Sequence, residues 1–296
     1  MEHSMMQECL SAYYNSRCRN LENAFFKAAG FFDPDGVHDL RVAVKQVRAF
    51  FRLLEWMTPA FKGKKYIRPF RALFKAAGDL RDVHVQQELS RKWSRKQGEF
   101  LGEYYNSLKE REFPARKKFA DFAEHFNLPS AISVNRKRIA HTLSTFSQNA
   151  LQEKLQQRIS AQTTALIGLC EQALKHEARL HSLRILSKET CYTLDIATCC
   201  PVEAACWDTM RVRLRAVHQA LGKWHDAEVA CEQILHFQQE TDTAEDPVGS
   251  EADGQSGIYQ QFFQSLHAEK AIHLQRFQVA WAEYLSLSGE EDSVSS

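Results

Sequence analysis

The hydrophobic positions of this chain recur every three or four residues along most of its length, the spacing expected of α-helices with one buried face. Two-residue alternation typical of strands is nearly absent, and the few glycines and prolines fall between the periodic stretches. The pattern therefore predicts an all-α protein. The expected helices cover about residues 4–29, 37–57, a segment from 64 onward, 99–112, 114–126, 134–176, 180–198, 202–221, 224–239 and 258–287.

The second predicted helix separates apolar and cationic residues onto different faces. In residues 38–52, HDLRVAVKQVRAFFR, the apolar positions form one arc and the basic positions another. At about 100° per residue, the basic positions occupy a band roughly 80° wide. They are His38, Arg41, Lys45, Arg48 and Arg52. The band carries no acid before Glu55, whereas an ordinary solvated face mixes both signs. This absence favours a surface that binds an anionic ligand. A basic solvent-facing helix is the alternative.

The following segment repeats this arrangement. Arg68, Arg71 and Lys75 share one narrow band, and apolar residues such as Phe70 occupy the other side. The motif GDLRD at 78–82 then adds Arg81, flanked by carboxylates that we interpret as orienting nearby arginines or capping a helix. The lysines at 62, 64 and 65 belong either to a solvated loop or to the edge of a cationic groove.

Charge is distributed unevenly, although the formal net charge is only +1. Residues 37–96 hold fifteen Lys or Arg against five acids, whereas residues 240–253 hold six acids and no base. The acidic, Gly/Ser-rich stretch 241–257 is predicted to be disordered, either as a plain linker or as a segment that covers the basic surface. No apolar run approaches the length of a signal peptide or a membrane span, which predicts a cytoplasmic protein without membrane contact.

The eight cysteines form no spacing typical of a disulfide framework, and a chain of 296 residues with 44% hydrophobic residues can bury a core without such crosslinks. Several of them lie near His181, but none shows the C-x-x-C spacing of a zinc site. We therefore expect reduced thiols and no metal.

Two blocks of the first half recur in the second half at an offset of about 143 residues, which indicates a duplicated helical unit. The motif LHSLRILSKETCY repeats the basic helix, and LGKWHDAEV repeats the motif that begins at Gly78. The matched basic residues of the second copy are His181, Arg184 and Lys188. The sequence divides accordingly into predicted halves 1–129 and 130–290, with the boundary at Leu128-Pro129-Ser130.

The pattern H-x-x-R-x-x-x-K-x-x-R, followed some forty residues later by G-x-L-R-D-x-x-V, resembles the CHAD family of α-helical domains. The resemblance covers most of the chain. It implies two pseudo-symmetric antiparallel four-helix bundles around a central basic groove. It also implies binding of inorganic polyphosphate and association with polyphosphate granules. The β-rich triphosphate-tunnel domain fused to many members is not seen in this sequence, so the resemblance is to a standalone member.

The second copy departs from this pattern. Cys191 stands at the position of Arg48, and Asp195 at that of Arg52, so we expect the first half to hold the ligand more strongly. Cations of the following helix are candidates to compensate. The full set of predicted polyphosphate-binding residues is His38, Arg41, Lys45, Arg48, Arg52, Arg68, Arg71, Lys75, Arg81, His181, Arg184, Lys188, Arg211, Arg215 and His218.

Other functions require other features. A phosphohydrolase or phosphoryl transferase would need a carboxylate cluster for Mg²⁺ or a Gly-rich phosphate loop, and the sequence has neither. Nucleic-acid binding is compatible with the basic face, but the acidic stretch and low net charge disfavour a long duplex. His38 and His181 could instead be capping or core histidines, and a purely structural helical scaffold is the remaining alternative. We therefore predict a non-enzymatic polyphosphate-binding module without cofactor, whose oligomeric state the sequence leaves open.

Overall fold

The computed structural model describes residues 4–200, 204–244 and 252–294, and these contain helices and no strand. The prediction of an all-α fold is confirmed. A 3-10 turn at Glu177–Arg179 precedes α9. The helices are α1 (Met5–Phe31), α2 (Pro34–Met57), α3 (Gly63–Tyr66), α4 (Arg68–Ala76), α5 (Gly78–Gln97), α6 (Gly102–His125), α7 (Leu128–Ser144), α8 (Gln148–Ala173), α9 (Leu180–Ala197), α10 (Ala204–Ala244) and α11 (Ala252–Val294). None of the described helices combines the length and the apolar character needed to cross a membrane.

Local sequence signals account for the ends of α1 and α2. Ser4 and Gln7 form a reciprocal capping box at the start of α1. Asp33 caps α2 by accepting a 2.7 Å hydrogen bond from the backbone N–H of Gly36, and Pro34 occupies the first turn. Any side chain at position 36 would place its Cβ 2.7 Å from Lys27 Cβ, so glycine is required where the two helices approach.

The chain forms two compact units. The first comprises Met1–Arg81 and Arg116–Arg215, and here α2 packs against α1, α4 and α9. Aromatic contacts fill its core: the ring centroid of Phe51 lies 5.9 Å from that of Tyr14 and 6.1 Å from that of Phe70. Burial of this apolar face turns the cationic face of α2 toward α4 and α9.

The second unit comprises Asp82–Ala115 and Ala216–Ser296 and has a core of its own. Trp93 packs on Phe262 with 5.2 Å between ring centroids, and Tyr104 packs on Phe237 at 5.3 Å. The predicted division into halves 1–129 and 130–290 follows the sequence repeat rather than compactness. That division, like the pair of four-helix bundles, stays a prediction.

Three predicted helix boundaries are wrong. The expected break between 112 and 114 is absent, because α6 continues through Pro114 with Leu108, Ala115 and Phe119 buried along one face. The expected single helix 134–176 is two helices, since the Ser147 hydroxyl accepts a 3.3 Å hydrogen bond from Ala150 N–H and starts α8. The expected break after residue 221 is also absent, because the buried stripe of α10 continues through Leu221 and Trp224.

The acidic stretch 241–257 lies partly outside the described residues, which omit 245–251. Where its backbone is described, both flanks are helical, because α10 continues to Ala244 and α11 begins at Ala252. The predicted disorder of 241–257 stays a prediction. The possible covering of the basic surface stays a hypothesis.

Candidate functional site

The cationic face of α2 lies between two surface pockets of the first unit. Lys45 and Arg48, one helical turn apart, are half-buried and line both pockets. Val44, Val47 and Phe51 on the other face are almost completely buried and fix the rotation of the helix. We call Lys45 and Arg48 the shared wall.

The larger pocket lies between α2 and α4 and has a volume of about 780 Å³. Its lining residues are Val44, Lys45, Arg48, Lys64, Arg68, Arg71, Ala72, Phe74 and Lys75. No carboxylate lines it, and Arg68, Arg71 and Lys75 form no salt bridge with any residue that the structure describes. The pocket therefore concentrates positive charge without a carboxylate in its lining.

The smaller pocket lies between α2 and α9 and has a volume of about 230 Å³. Its lining residues are Lys45, Arg48, Ala49, Arg52, Arg184, Ile185, Lys188, Glu189 and Tyr192. Here the structure brings together cations from both copies of the sequence repeat. Unlike the larger pocket, this one also contains a carboxylate, that of Glu189.

Glu189 is the acidic group of the smaller pocket. Its carboxylate accepts hydrogen bonds from Arg52 at 2.7 Å and from Arg158 at 3.1 Å. Arg52 is thus partly neutralised, although a pair this exposed contributes little to stability. Arg52 is available to a ligand only in competition with Glu189.

Like charges converge on the shared wall. Burial, together with the cations Lys188, Arg41 and Arg184, lowers the pKa of Lys45 to about 6. Burial and the neighbouring Arg52 and Arg71 lower the pKa of Arg48, while Glu189 acts in the opposite direction. Anionic oxygens placed here would offset these like charges and favour the protonated form of Lys45.

Arg41 joins α2 to α4 rather than lining either pocket. Its guanidinium carbon lies 3.9 Å from the ring centroid of Phe74, and its Nη1 donates a 3.0 Å hydrogen bond to the Phe74 carbonyl oxygen. Gly78 leaves room for this arrangement, because a Cβ there would lie 3.3 Å from the same nitrogen. Arg41 therefore positions the cationic α4 beside the shared wall.

His38 and His181 are exposed near the starts of α2 and α9 and line neither pocket. Desolvation and the charge of Arg81 lower the pKa of His38, with smaller contributions from Lys45 and Lys188 in the same direction and from Asp39 in the opposite one. His38 and the half-buried Arg81 thus belong to the same electrostatic neighbourhood as the shared wall.

The predicted compensating cations of α10 are paired elsewhere in the described structure. Arg211 and Arg215 donate hydrogen bonds to Asp195 at 3.3 and 3.0 Å, and Arg211 also pairs with Asp208. Asp195 therefore neutralises much of their charge, and neither arginine lines the two pockets. His218 is a half-buried residue of the second unit, and its part in binding stays a prediction.

The cysteines show no sign of a metal centre. All eight are free thiols, and burial raises the pKa of Cys191 to about 12. Within the described ranges, no group of three or more His, Cys, Asp or Glu side chains is arranged to hold a metal ion.

Comparison with known proteins places this geometry in a family. A family model of the CHAD domain matches residues 26–235, which is more than two thirds of the chain. The chain belongs to the CHAD family. The matched span includes α2, α4 and α9, and with them all of the cations that line the two pockets. No curated protein matches the chain.

Two solved structures share the fold of this CHAD domain. The crystal structure of the CHAD domain from the plant Ricinus communis aligns with a TM-score of 0.71 at 16% identity, covering 93% of this chain and 91% of that one. PptA from Streptomyces chartreusis aligns with a TM-score of 0.64 at 15% identity, covering 93% and 99%. At such low identity these similarities establish the fold alone.

Sequence reasoning missed several features of the CHAD site. Glu189 and Tyr192 lie on α9 outside the repeated basic pattern, so only the packing of α9 against α2 places them in the smaller pocket. Lys64, for which the sequence left a loop or a groove edge open, lines the larger pocket. The lysine-rich GKK segment at 63–65 is the sequence feature that could have identified Lys64 as a pocket residue.

Proposed function

We propose that this CHAD domain binds inorganic polyphosphate, without catalysis, through the cations that line the two pockets. The observation that carries the proposal is the shared wall: Lys45 and Arg48 face both pockets, so a chain of phosphates can pass from one to the other along consecutive cations. Arg68 and Arg71 extend that path on α4 with one-turn spacing, roughly 5–6 Å between Cβ atoms. Arginine offers a fork of donors to phosphate oxygens, and lysine a compact charge.

Charge neutralisation on α4 tests the larger pocket. The Arg68→Gln, Arg71→Gln double variant is expected to bind long polyphosphate about 100-fold more weakly, since each lost charge-assisted contact costs about 1.5 kcal/mol. Titration calorimetry with chains of defined length measures the effect.

The matched control removes two cations of the first unit that lie outside both pockets. Arg19 and Lys137 are exposed, on α1 and α7, and form no salt bridge within the described structure. The Arg19→Gln, Lys137→Gln variant has the same net charge as the α4 variant and is expected to change affinity less than about threefold. Equal losses in the two variants would show that only net charge matters.

Binding is expected to strengthen as pH falls, because the pKa values of His38 and Lys45 are lowered in the free protein. Bound phosphates favour the protonated forms and raise both pKa values, so the complex takes up protons as it forms. Affinity should rise from about pH 8 to about pH 6 and level off below the pKa values of the free groups. Calorimetry in buffers of different ionisation enthalpy counts the protons.

The Lys45→Arg variant is the control for this pH dependence, because its guanidinium stays charged throughout the range. It should lose most of the proton uptake while retaining most of the affinity at low pH. Affinity that rises with pH in the unaltered chain would contradict the assignment of these two groups.

The non-catalytic part of the proposal is tested by incubating the pure protein with polyphosphate and Mg²⁺. We expect neither released orthophosphate nor shortened chains above the protein-free control. Phosphate release that scales with protein concentration and is lost in the Lys45→Gln variant would instead indicate a phosphohydrolase.

RNA and DNA are the competing polyanions. The half-buried Lys45 and Arg48 are expected to favour the slender polyphosphate chain over a base-paired duplex. Competition at matched phosphate concentration distinguishes the two, and equal competition by duplex DNA would contradict this preference. In cells we propose a cytoplasmic location beside polyphosphate granules. A fluorescent fusion that stays diffuse in cells containing granules would argue against it.

A further inference from the structure

Lys45 is placed as a reactive amine as well as a cation. It is half-buried in the shared wall, and its ammonium nitrogen lies 5.4 Å from the ring centroid of Phe74. The charged groups that act most strongly on it are Arg41 on its own helix and Arg184 and Lys188 on α9. It faces two pockets whose other cations can hold a small anion next to it.

This environment favours the neutral amine. Burial and the neighbouring cations lower the pKa of Lys45 to about 6, so much of this side chain is unprotonated at neutral pH, when exposed lysines are almost entirely charged. A neutral amine beside fixed positive charges is the arrangement that activates a nucleophilic lysine. The same positive charges recruit anionic reagents.

We propose that Lys45 is an acylation site for acyl phosphates, the small anionic anhydrides of a carboxylic acid and phosphoric acid. In this proposal the pocket cations Arg48 and Lys188 bind the phosphoryl oxygens, Lys188 leaving its hydrogen bond with Lys45, and the Lys45 nitrogen attacks the acyl carbon. A nitrogen–carbon bond forms while the bond from the acyl carbon to the phosphate oxygen breaks. The phosphate leaves with the electron pair and takes up the proton released by the amine.

Acylation would change the shared wall that both pockets use. An amide replaces the titratable amine, so position 45 can no longer become cationic when an anion binds. Acylated protein should therefore bind polyanions less well, and a bound polyanion should protect Lys45 from acylation. The inference uses the geometry of the pockets and does not require polyphosphate to be their ligand.

The test uses the full chain and acetyl phosphate at neutral pH, followed by peptide mass spectrometry that quantifies acetylation at each lysine. Lys45 is expected to be acetylated about 10-fold faster than the exposed Lys62, Lys65 and Lys137, since its larger neutral fraction outweighs its lower basicity. Acetylation of Lys45 at or below the rate of these exposed lysines would overturn the proposal.

Two further experiments distinguish binding of the anionic acetyl phosphate from the intrinsic reactivity of the Lys45 amine. A neutral acetyl ester should show a smaller preference for Lys45 than acetyl phosphate does, and an equal preference would overturn the assignment to acyl phosphates. The Lys188→Gln variant should acetylate Lys45 several-fold more slowly, because it loses both a phosphate contact and a charge that lowers the pKa of Lys45. An unchanged rate in a folded Lys188→Gln protein would count against the mechanism.

These measurements contain no polyphosphate, so their failure is distinguishable from failure of the proposed function. Selective acetylation of Lys45 in a chain that does not bind polyphosphate would support this inference alone. Tight polyphosphate binding without selective acetylation would support the proposed function alone.

Discussion

The Lys45→Gln, Arg48→Gln double variant is expected to bind long polyphosphate about 1,000-fold more weakly than the unaltered chain. Both side chains line both pockets, so their loss interrupts the path of cations at its centre. Each charge-assisted contact with a partly desolvated phosphate contributes about 2 kcal/mol. Fluorescence anisotropy with end-labelled polyphosphate measures the change.

The interpretation depends on the variant remaining folded. Removing the Arg48 cation and the half-buried Lys45 amine from a site crowded with like charges should leave the helical content unchanged and the free energy of unfolding equal or higher. Circular dichroism with urea titration measures both. The Arg19→Gln, Lys137→Gln variant again provides the charge-matched control. A folded double variant that retains affinity within about threefold would show that the shared wall is not the binding site.

Salt is expected to weaken polyphosphate binding steeply. The number of cations that line the two pockets allows about six to ten phosphate contacts. In nucleic-acid systems with that many contacts, affinity falls by about 10³ to 10⁵ between 50 and 200 mM salt. The cause is release of counterions condensed on the polyanion. Titrations at several salt concentrations give the slope of log affinity against log salt.

The variants make this salt prediction residue-specific. Loss of two phosphate contacts in the Arg68→Gln, Arg71→Gln variant should reduce the slope by about 1.5, whereas the control variant should leave the slope unchanged. A nearly flat salt dependence of the unaltered chain would indicate recognition by uncharged contacts. It would contradict the electrostatic account.

Where local signals dominate, the fold could be predicted from the sequence. The predicted end of α2 before Thr58-Pro59 is the observed one, whereas the observed start at Pro34, capped by Asp33, lies three residues before the predicted start at 37. Its apolar face is the one that the structure buries, from Leu40 to Leu54. These features depend on neighbours within a few residues, which the sequence displays directly.

The wrong boundaries arise where packing outweighs local signals. Pro114 removes one backbone hydrogen-bond donor, but the buried face on either side keeps α6 continuous. Gly222 likewise lowers helix propensity without ending α10. At Ser147 the error is the reverse: one continuous helix was predicted and two are observed. The hydrophobic spacing continues across this position, so it gives no indication that Ser147 caps a new helix.

The candidate site was predicted better on α2 and α4 than on the helices of the second copy. Lys45, Arg48, Arg68 and Arg71 follow from helical spacing alone, because residues three or four positions apart share a face. The pairing of Arg211 and Arg215 with Asp195 depends on how α9 meets α10, and no periodicity in the sequence reports that. Glu189 and Tyr192 were missed for the same reason.

A crystal structure of the chain with a short polyphosphate tests the central claim most directly. The account predicts phosphate groups within hydrogen-bonding distance of Lys45 Nζ and of the Arg48 guanidinium, with the chain continuing toward Arg71. Phosphates bound only at another surface, with no phosphate oxygen within hydrogen-bonding distance of Lys45 or Arg48, would contradict it.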